Sequence, residues 1–312
     1  MKHIQTIDEM TQLFGKLSDC DNWSLQLLKI TSSKKTGISY YARQIKLCPD
    51  GKLGEVVGDI CDYYTKKEAL NKKYKEIDEY DGVNIGNIIY CLHTDSVLVT
   101  DAYNSLVATI NNPDTEGKID TKQYNGYVIS GILEGESIRL LSLQNPMTSY
   151  ENKHRFFYDE SSFKEITGTV LQLKSYIDVL IYRGHLYMMS LYAEKLFDME
   201  RSYKKKCEES VSLIVGKGIV SDNEAFTKIA LAGHNPRKFL SFNQKNLELL
   251  AKNKNTRKSI GSKFGISLTK EGDYDTSVEK NSDSLIKILC NKAMLEPFAQ
   301  EPMEVESART WK

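Results

Sequence analysis

Tyr176-Ile177-Asp178-Val179-Leu180-Ile181-Tyr182-Arg183-Gly184-His185-Leu186-Tyr187-Met188-Met189 is the stretch on which the fold turns. Ile177 to Tyr182 reads as a strand, rich in β-branched and aromatic residues. Arg183-Gly184 is a tight two-residue turn, and Leu186 to Met189 is the returning strand. Two further hairpins lie upstream. Trp23 to Ile30 and Ser39 to Leu47 flank the polar connection Thr31-Ser32-Ser33-Lys34-Lys35-Thr36-Gly37, and the turn Pro49-Asp50-Gly51 ends the second strand. Tyr124 to Leu133 and Ser137 to Leu143 flank Glu134-Gly135-Glu136. Helical spacing falls between and before the hairpins. Ile7, Met10, Leu13, Phe14 and Leu17 recur at helical intervals behind Thr6, with Glu9 placed for a capping box.

Leu53, Val56, Val57, Ile60, Cys61 and Tyr64 mark another helix, expected to run on toward Lys73. Leu106, Val107 and Ile110 favour a helix in Ser96–Ile110. Hairpins separated by helices predict an α+β fold with a largely antiparallel sheet, not a doubly wound parallel one. After Ser190 the pattern becomes helical: a long helix over Tyr192–Val215, one capped by Ser221 with Glu224, short helices to about Lys263, and a last one over Ser282–Asn291. Two domains are expected, residues 1–190 (α+β) and 191–312 (mostly helical), as the length allows at about 150 residues each.

Chemistry is sparse. Neither GxSxG nor GxxxxGK[ST] occurs, and Gly216-Lys217-Gly218 reads as a turn. The five histidines (His3, His93, His154, His185 and His234) show no HxH or HExxH spacing, and the six cysteines show no CxxC. Cys61 and Cys91 read as small buried hydrophobes. His93-Thr94-Asp95 places His and Asp on one side of a strand, but more often marks a loop. Glu151-Asn152-Lys153 has the ExK spacing of many nucleases in a polar stretch without strand pattern, and Asp78-Glu79-Tyr80-Asp81 reads as a solvated loop. No catalytic residue, metal ligand or cofactor is assigned. The N-terminus has no apolar leader and no run reaches the ~20 residues that span a bilayer. The expectation is a cytoplasmic protein.

Lys+Arg and Asp+Glu are both 42, yet the charge is unevenly spread. Phe226 to Gly265 holds Lys228, Arg237, Lys238, Lys245, Lys252, Lys254, Arg257, Lys258 and Lys263 against the single acid Glu248. Asn and Ser side chains accompany them, and phosphate oxygens accept from such groups. Asn255-Thr256-Arg257-Lys258 looks like a helix start, and Phe239, Phe242 and Phe264 read as core. Arg237, Lys238, Lys245, Lys252, Lys254, Arg257, Lys258 and Lys263 are the candidate nucleic-acid contacts, led by phosphate and weak in sequence preference. A solvated face, or an acidic partner protein, fits the same cluster.

Two blocks carry a family resemblance. Tyr176–Met189, continued by Ala193-Glu194-Lys195-Leu196-Phe197, is similar to the central strand–turn–strand–helix signature of the Kiwa B-subunit (KwaB-like) family, formerly a domain of unknown function. Asp283-Ser284-Leu285-Ile286-Lys287-Ile288-Leu289-Cys290-Asn291, with Leu295 and the stretch to Trp311, resembles that family's closing helix and tail. The resemblance implies an antiphage defence protein that self-associates and binds DNA without catalysis of its own. It also implies a small multi-helix membrane protein as partner, which would recruit the chain to the inner face of the membrane. Interference with phage DNA replication or late expression would follow. The alternatives are a metal-dependent nuclease and a scaffold that binds only the membrane partner.

Overall fold

The computed structural model describes residues 4–33, 35–45, 53–66, 73–79, 88–116, 123–144, 156–158, 161–165, 171–190, 192–295 and 301–304. Two compact units make up the chain, the first from 1–74 and 85–198, the second from 75–84 and 199–312.

The first unit is built on a sheet. The sheet's strands are β1 (Asp21–Ser33), β2 (Gly37–Ile45), β3 (Lys73–Glu76, whose last two residues count with the second unit), β4 (Ile88–His93), β5 (Gly126–Leu133), β6 (Glu136–Leu143), β9 (Val179–Tyr182) and β10 (His185–Met188). They run in the order β2-β1-β5-β6-β9-β10-β4-β3. A separate pair, β7 (Phe156–Tyr158) and β8 (Phe163–Glu165), is antiparallel. All three expected hairpins form with antiparallel registers. In two of them both turn residues have positive φ: Glu134 (53°) with Gly135 (79°), and Arg183 (50°) with Gly184 (72°). That is the mirror-image turn whose twist matches the strands it joins.

Among the described residues, three α-helices of this unit precede β5. α1 (Ile7–Lys16) begins at Thr6, whose hydroxyl accepts from Glu9 N–H while the Glu9 carboxylate accepts from Thr6 N–H. α2 (Leu53–Thr65) stops short of Lys73, toward which it was expected to run, and Lys73–Glu76 is an edge strand. α3 (Thr100–Asn111) begins one turn later than its apolar spacing suggests, because Ser96–Val99 forms a hydrogen-bonded turn. It packs along β2.

Met10 and Phe14 of α1 and Val57, Ile60 and Tyr64 of α2 bury against Cys91, Ile129, Leu140, Leu180 and Tyr187 of the sheet. Phe14 and Tyr64 stack with ring centroids 4.4 Å apart. Residues of opposite parity, such as Val179, Ile181, Leu186 and Met188, are buried too, so the central strands are covered on both faces. This is why Ile177–Tyr182 is a nearly continuous apolar run and not an alternating one. Asp178 interrupts it, fully buried, and its carboxylate accepts from Leu143 N–H (2.7 Å) and from the Ser190 hydroxyl.

The expected long helix over Tyr192–Val215 is two helices, α4 (Tyr192–Leu196) and α5 (Met199–Gly216). Asp198, in the left-handed region at φ 50°, breaks them apart. α5 opens the second unit. Its buried stripe of Tyr203, Cys207, Val211 and Ile214 recurs every three to four residues, opposite a charged face.

α6 (Asn223–Ala230) is capped by Asp222, which accepts from Ala225 N–H, and not by Ser221. The Ser221 hydroxyl is occupied by Thr276 N–H. α7 (Asn235–Lys238), α8 (Gln244–Lys252), α9 (Lys254–Phe264) and α10 (Glu279–Leu289) follow, then the ribbon β11 (Ala293–Leu295) with β12 (Pro302–Glu304). Cys207, Ile214, Phe226, Phe239, Leu250 and Leu285 lie in this unit's core. Phe242 and Phe264 pack at its margin. Gly216-Lys217-Gly218 is the turn after α5. Among the described residues, Cys20, Cys61, Cys91, Cys207 and Cys290 are buried and form no disulfide.

Candidate nucleic-acid interface

α8 and α9 form a helical pair joined by Asn253 alone. Asn253 is extended, and its side-chain oxygen accepts from Asn255 N–H (2.8 Å) and Thr256 N–H (3.3 Å). Asn243 caps α8 in the same way through Lys245 and Asn246. The helix start expected at Asn255 therefore lies one residue earlier. Neither first turn contains an acid. Positive helix ends usually attract carboxylates; here a lysine occupies each.

Apart from the buried Arg257, the polar side chains of the two helices are exposed or partly exposed. On α8, Leu247 and Leu250 face the core, while Lys245 and Lys252 stand exposed seven residues apart, hence on one side. On α9, Lys254 and Lys258 are exposed one turn apart, and Lys263 is exposed near its end. Asn255, Ser259 and Ser262 accompany them at the surface. α9 can lie low because of Gly261, where a Cβ would stand 2.6 Å from Leu268 Cδ1 and 2.8 Å from Ile266 O. Among the described residues, no ion pair engages Lys245, Lys252, Lys258 or Lys263. Lys254 donates to the backbone oxygen of Glu271 (2.8 Å) and stays exposed.

The remaining nominated cations have other employment. Arg257 is 4 % exposed. Its Nε donates to Gly272 O (2.8 Å) and its Nη1 to Leu250 O (2.9 Å), while Nη2 reaches Asp273 Oδ1 at 3.5 Å. A guanidinium so enclosed turns most of its donors to internal acceptors and clamps the end of α8 to the loop at Gly272. Lys238 pairs with Asp283 at 3.2 Å and is mostly covered. Burial pushes the Asp283 carboxyl up, but the hydrogen bond from Lys287 and the Lys238 charge outweigh it and hold it below the ordinary carboxylate value. Arg237 lies over the Tyr203 ring, 5.6 Å from its centroid. Of the eight nominated cations, the fold presents five openly: Lys245, Lys252, Lys254, Lys258 and Lys263.

Among the described residues, the other candidate groups form no catalytic cluster. His93 Nδ1 meets the Asp95 carboxylate, and the His185 ring stands edge-on to His93 at 4.8 Å, because the two histidines are cross-strand partners. The nearest hydroxyl in sequence, Thr94 Oγ1, donates to Gly184 O (3.0 Å) and is engaged in the turn. Both His93 and Asp95 are well solvated. Among the described residues, no three His, Cys, Asp or Glu side chains converge as metal ligands. Asp78 and Glu79 lie in a short 3₁₀ turn, with Glu79 3.9 Å from Lys75, whereas Glu151-Asn152-Lys153 lies outside the described residues. No described helix is long and apolar enough to cross a membrane.

The architecture is that of an α+β protein whose helical unit presents an open lysine face. Residues 122–295, more than half of the chain, match the Kiwa protein KwaB-like family, and the chain belongs to that family. The match runs from just before β5 to the end of β11, so it spans the central strands and the lysine-bearing helices alike. Membership makes the chain a component of Kiwa antiphage defence. No curated protein and no solved structure matches it.

Proposed function

We propose that this chain is the DNA-binding effector of a Kiwa system, holding DNA by its phosphates and blocking phage replication or expression without catalysis of its own. The observation that carries the reading is the exposed lysine face of α8 and α9: Lys245, Lys252, Lys254, Lys258 and Lys263, with no acid in either first turn. The two helices carry one acid, Glu248, against these five exposed lysines, and that imbalance supports a polyanion site over a merely solvated face. Flexible ammonium groups and capped helix starts contact phosphate without reading base edges, so binding is salt-sensitive and sequence-tolerant.

The test is equilibrium binding to labelled duplex DNA across a salt series. Replacing all five lysines by alanine is expected to leave the fold intact and to weaken binding. The plot of log K against log salt should flatten by about 0.9 for each phosphate that is no longer neutralised. Unchanged affinity and slope would move the interface elsewhere. Metal-dependent cleavage of the same DNA would overturn the non-catalytic part. Self-association and a small multi-helix membrane protein as partner belong to the same proposal. Co-purification with that partner from membranes tests it, and recovery of the chain alone from the soluble fraction in its presence would count against it.

A further inference from the structure

On the first unit, apart from the lysine face, three half-exposed tyrosines gather from three separate elements. Tyr63 comes from the end of α2, Tyr176 from the segment before β9, and Tyr192 from the start of α4; they are 39 %, 40 % and 50 % exposed. Tyr63 and Tyr176 have ring centroids 5.9 Å apart. Lys174 Nζ lies 5.1 Å from the Tyr176 centroid and 5.8 Å from that of Tyr192, and Lys195 Nζ lies 5.5 Å from Tyr192. Large apolar rings are rarely left in water without reason, and here they are held there in fixed relation.

The holding is specific. Beneath Tyr63, the neighbouring Tyr64 is buried, and its hydroxyl both donates to Ile177 O (3.0 Å) and accepts from Ile177 N–H (3.1 Å). That pair pins the end of α2 to the residue after Tyr176. Asp178 receives the Ser190 hydroxyl, and Ser190 Oγ accepts from Tyr192 N–H at 3.2 Å. Lys174 donates to Leu143 O and lies 3.9 Å from the buried Asp178 carboxylate, so its ammonium is held in place between two rings. The more exposed Lys195 carries the charge open to a phosphate.

We propose that this platform of Tyr63, Tyr176 and Tyr192, interleaved with Lys174 and Lys195, stacks the bases of single-stranded nucleic acid. Aromatic faces spaced among ammonium groups match alternating bases and phosphates, and stacking tolerates any base because every base has a π-face. A duplex hides those faces, so the platform discriminates strand state where the lysine face of α8 and α9 responds to charge. The two surfaces use different residues, and either can fail alone.

The experiment uses the full chain and a labelled oligothymidylate, with inorganic polyphosphate as a probe that carries charge but no bases. Tyr192→Ala and Tyr63→Ala are each expected to weaken oligothymidylate binding at least about fivefold, the lower end of what one stacked base contributes. Polyphosphate and duplex affinity stay as in the parent. Tyr192→Trp should retain or tighten binding and Tyr192→Leu should lose it, a contrast that a merely structural role at so exposed a position would not produce. Equal binding by the Trp and Leu variants, or unchanged oligothymidylate affinity when Tyr63→Ala and Tyr192→Ala are combined, overturns the proposal. So does a tyrosine-dependent affinity for phosphatidylserine vesicles without one for the oligonucleotide, which would make the patch a membrane-facing surface.

Discussion

Arg257 shows how one side chain changes meaning with its surroundings. In a run of cations it looks like a phosphate contact, yet its guanidinium joins the carbonyl of Leu250, near the end of α8, to the loop at Gly272. Replacing Arg257 with Ala leaves those buried acceptors without donors, and we expect a loss of about 3 kcal/mol in urea unfolding. DNA affinity of the fraction that remains folded should hold. A fall in DNA affinity with stability intact would return Arg257 to the interface. Asp178 is the counterpart in the first unit, a buried carboxylate whose acceptors tie Leu143 of β6 and Ser190 together across the hairpin. Asp178→Ala removes both bonds and is expected to cost about 2–4 kcal/mol by the same measurement.

Turns and caps decide outcomes at the scale of elements. The Arg183-Gly184 turn forces Gly184 to φ 72°, while a Cβ there would meet the His93 ring at 3.7 Å and Thr94 Oγ1 at 3.9 Å, both ordinary contacts. Gly184→Ala therefore isolates the backbone cost, about 1–2 kcal/mol in thermal or urea unfolding. A neutral result would mean the hairpin relaxes into another turn. Asn253 closes α8 and opens α9, so Asn253→Ala should lower stability by about 1 kcal/mol. The slope of DNA binding against salt should stay unchanged, because no charge has moved. The same scale explains which elements were legible. The β9–β10 and β5–β6 hairpins were, since their turn residues and apolar runs are local signals. The split of α4 from α5 at Asp198 was not, because a left-handed aspartate carries no spacing signature. Nor was β3, whose Lys73-Tyr74-Lys75-Glu76 is too charged to announce a strand and becomes one only as the sheet's edge.

Acid sensitivity belongs to the whole molecule. Hydrogen bonding and charge from Lys16, with Arg183 assisting, hold Glu134 below its ordinary value, and Asp283 is lowered against its own desolvation by Lys287 and Lys238. Both folded values are depressed, so the stability they add is present above the unfolded carboxylate values of 4.5 and 3.8 and is lost as pH falls through the folded ones. Unfolding followed against pH should show that loss on the acid side. Lys16→Ala should reduce the part that depends on Glu134, and an unaltered acid profile would show that the pair contributes nothing measurable in water. Sequence by itself determined the α+β class, the hairpins, the capped first helix, the family and the place where positive charge concentrates. These follow from patterns within a few residues, where backbone geometry ties spacing to face. Only the tertiary structure decided which cations look outward, that Arg257 looks inward, and that Tyr63, Tyr176 and Tyr192 share one surface. A charge or a ring acquires its role from neighbours far away in the chain, and only folding brings them near.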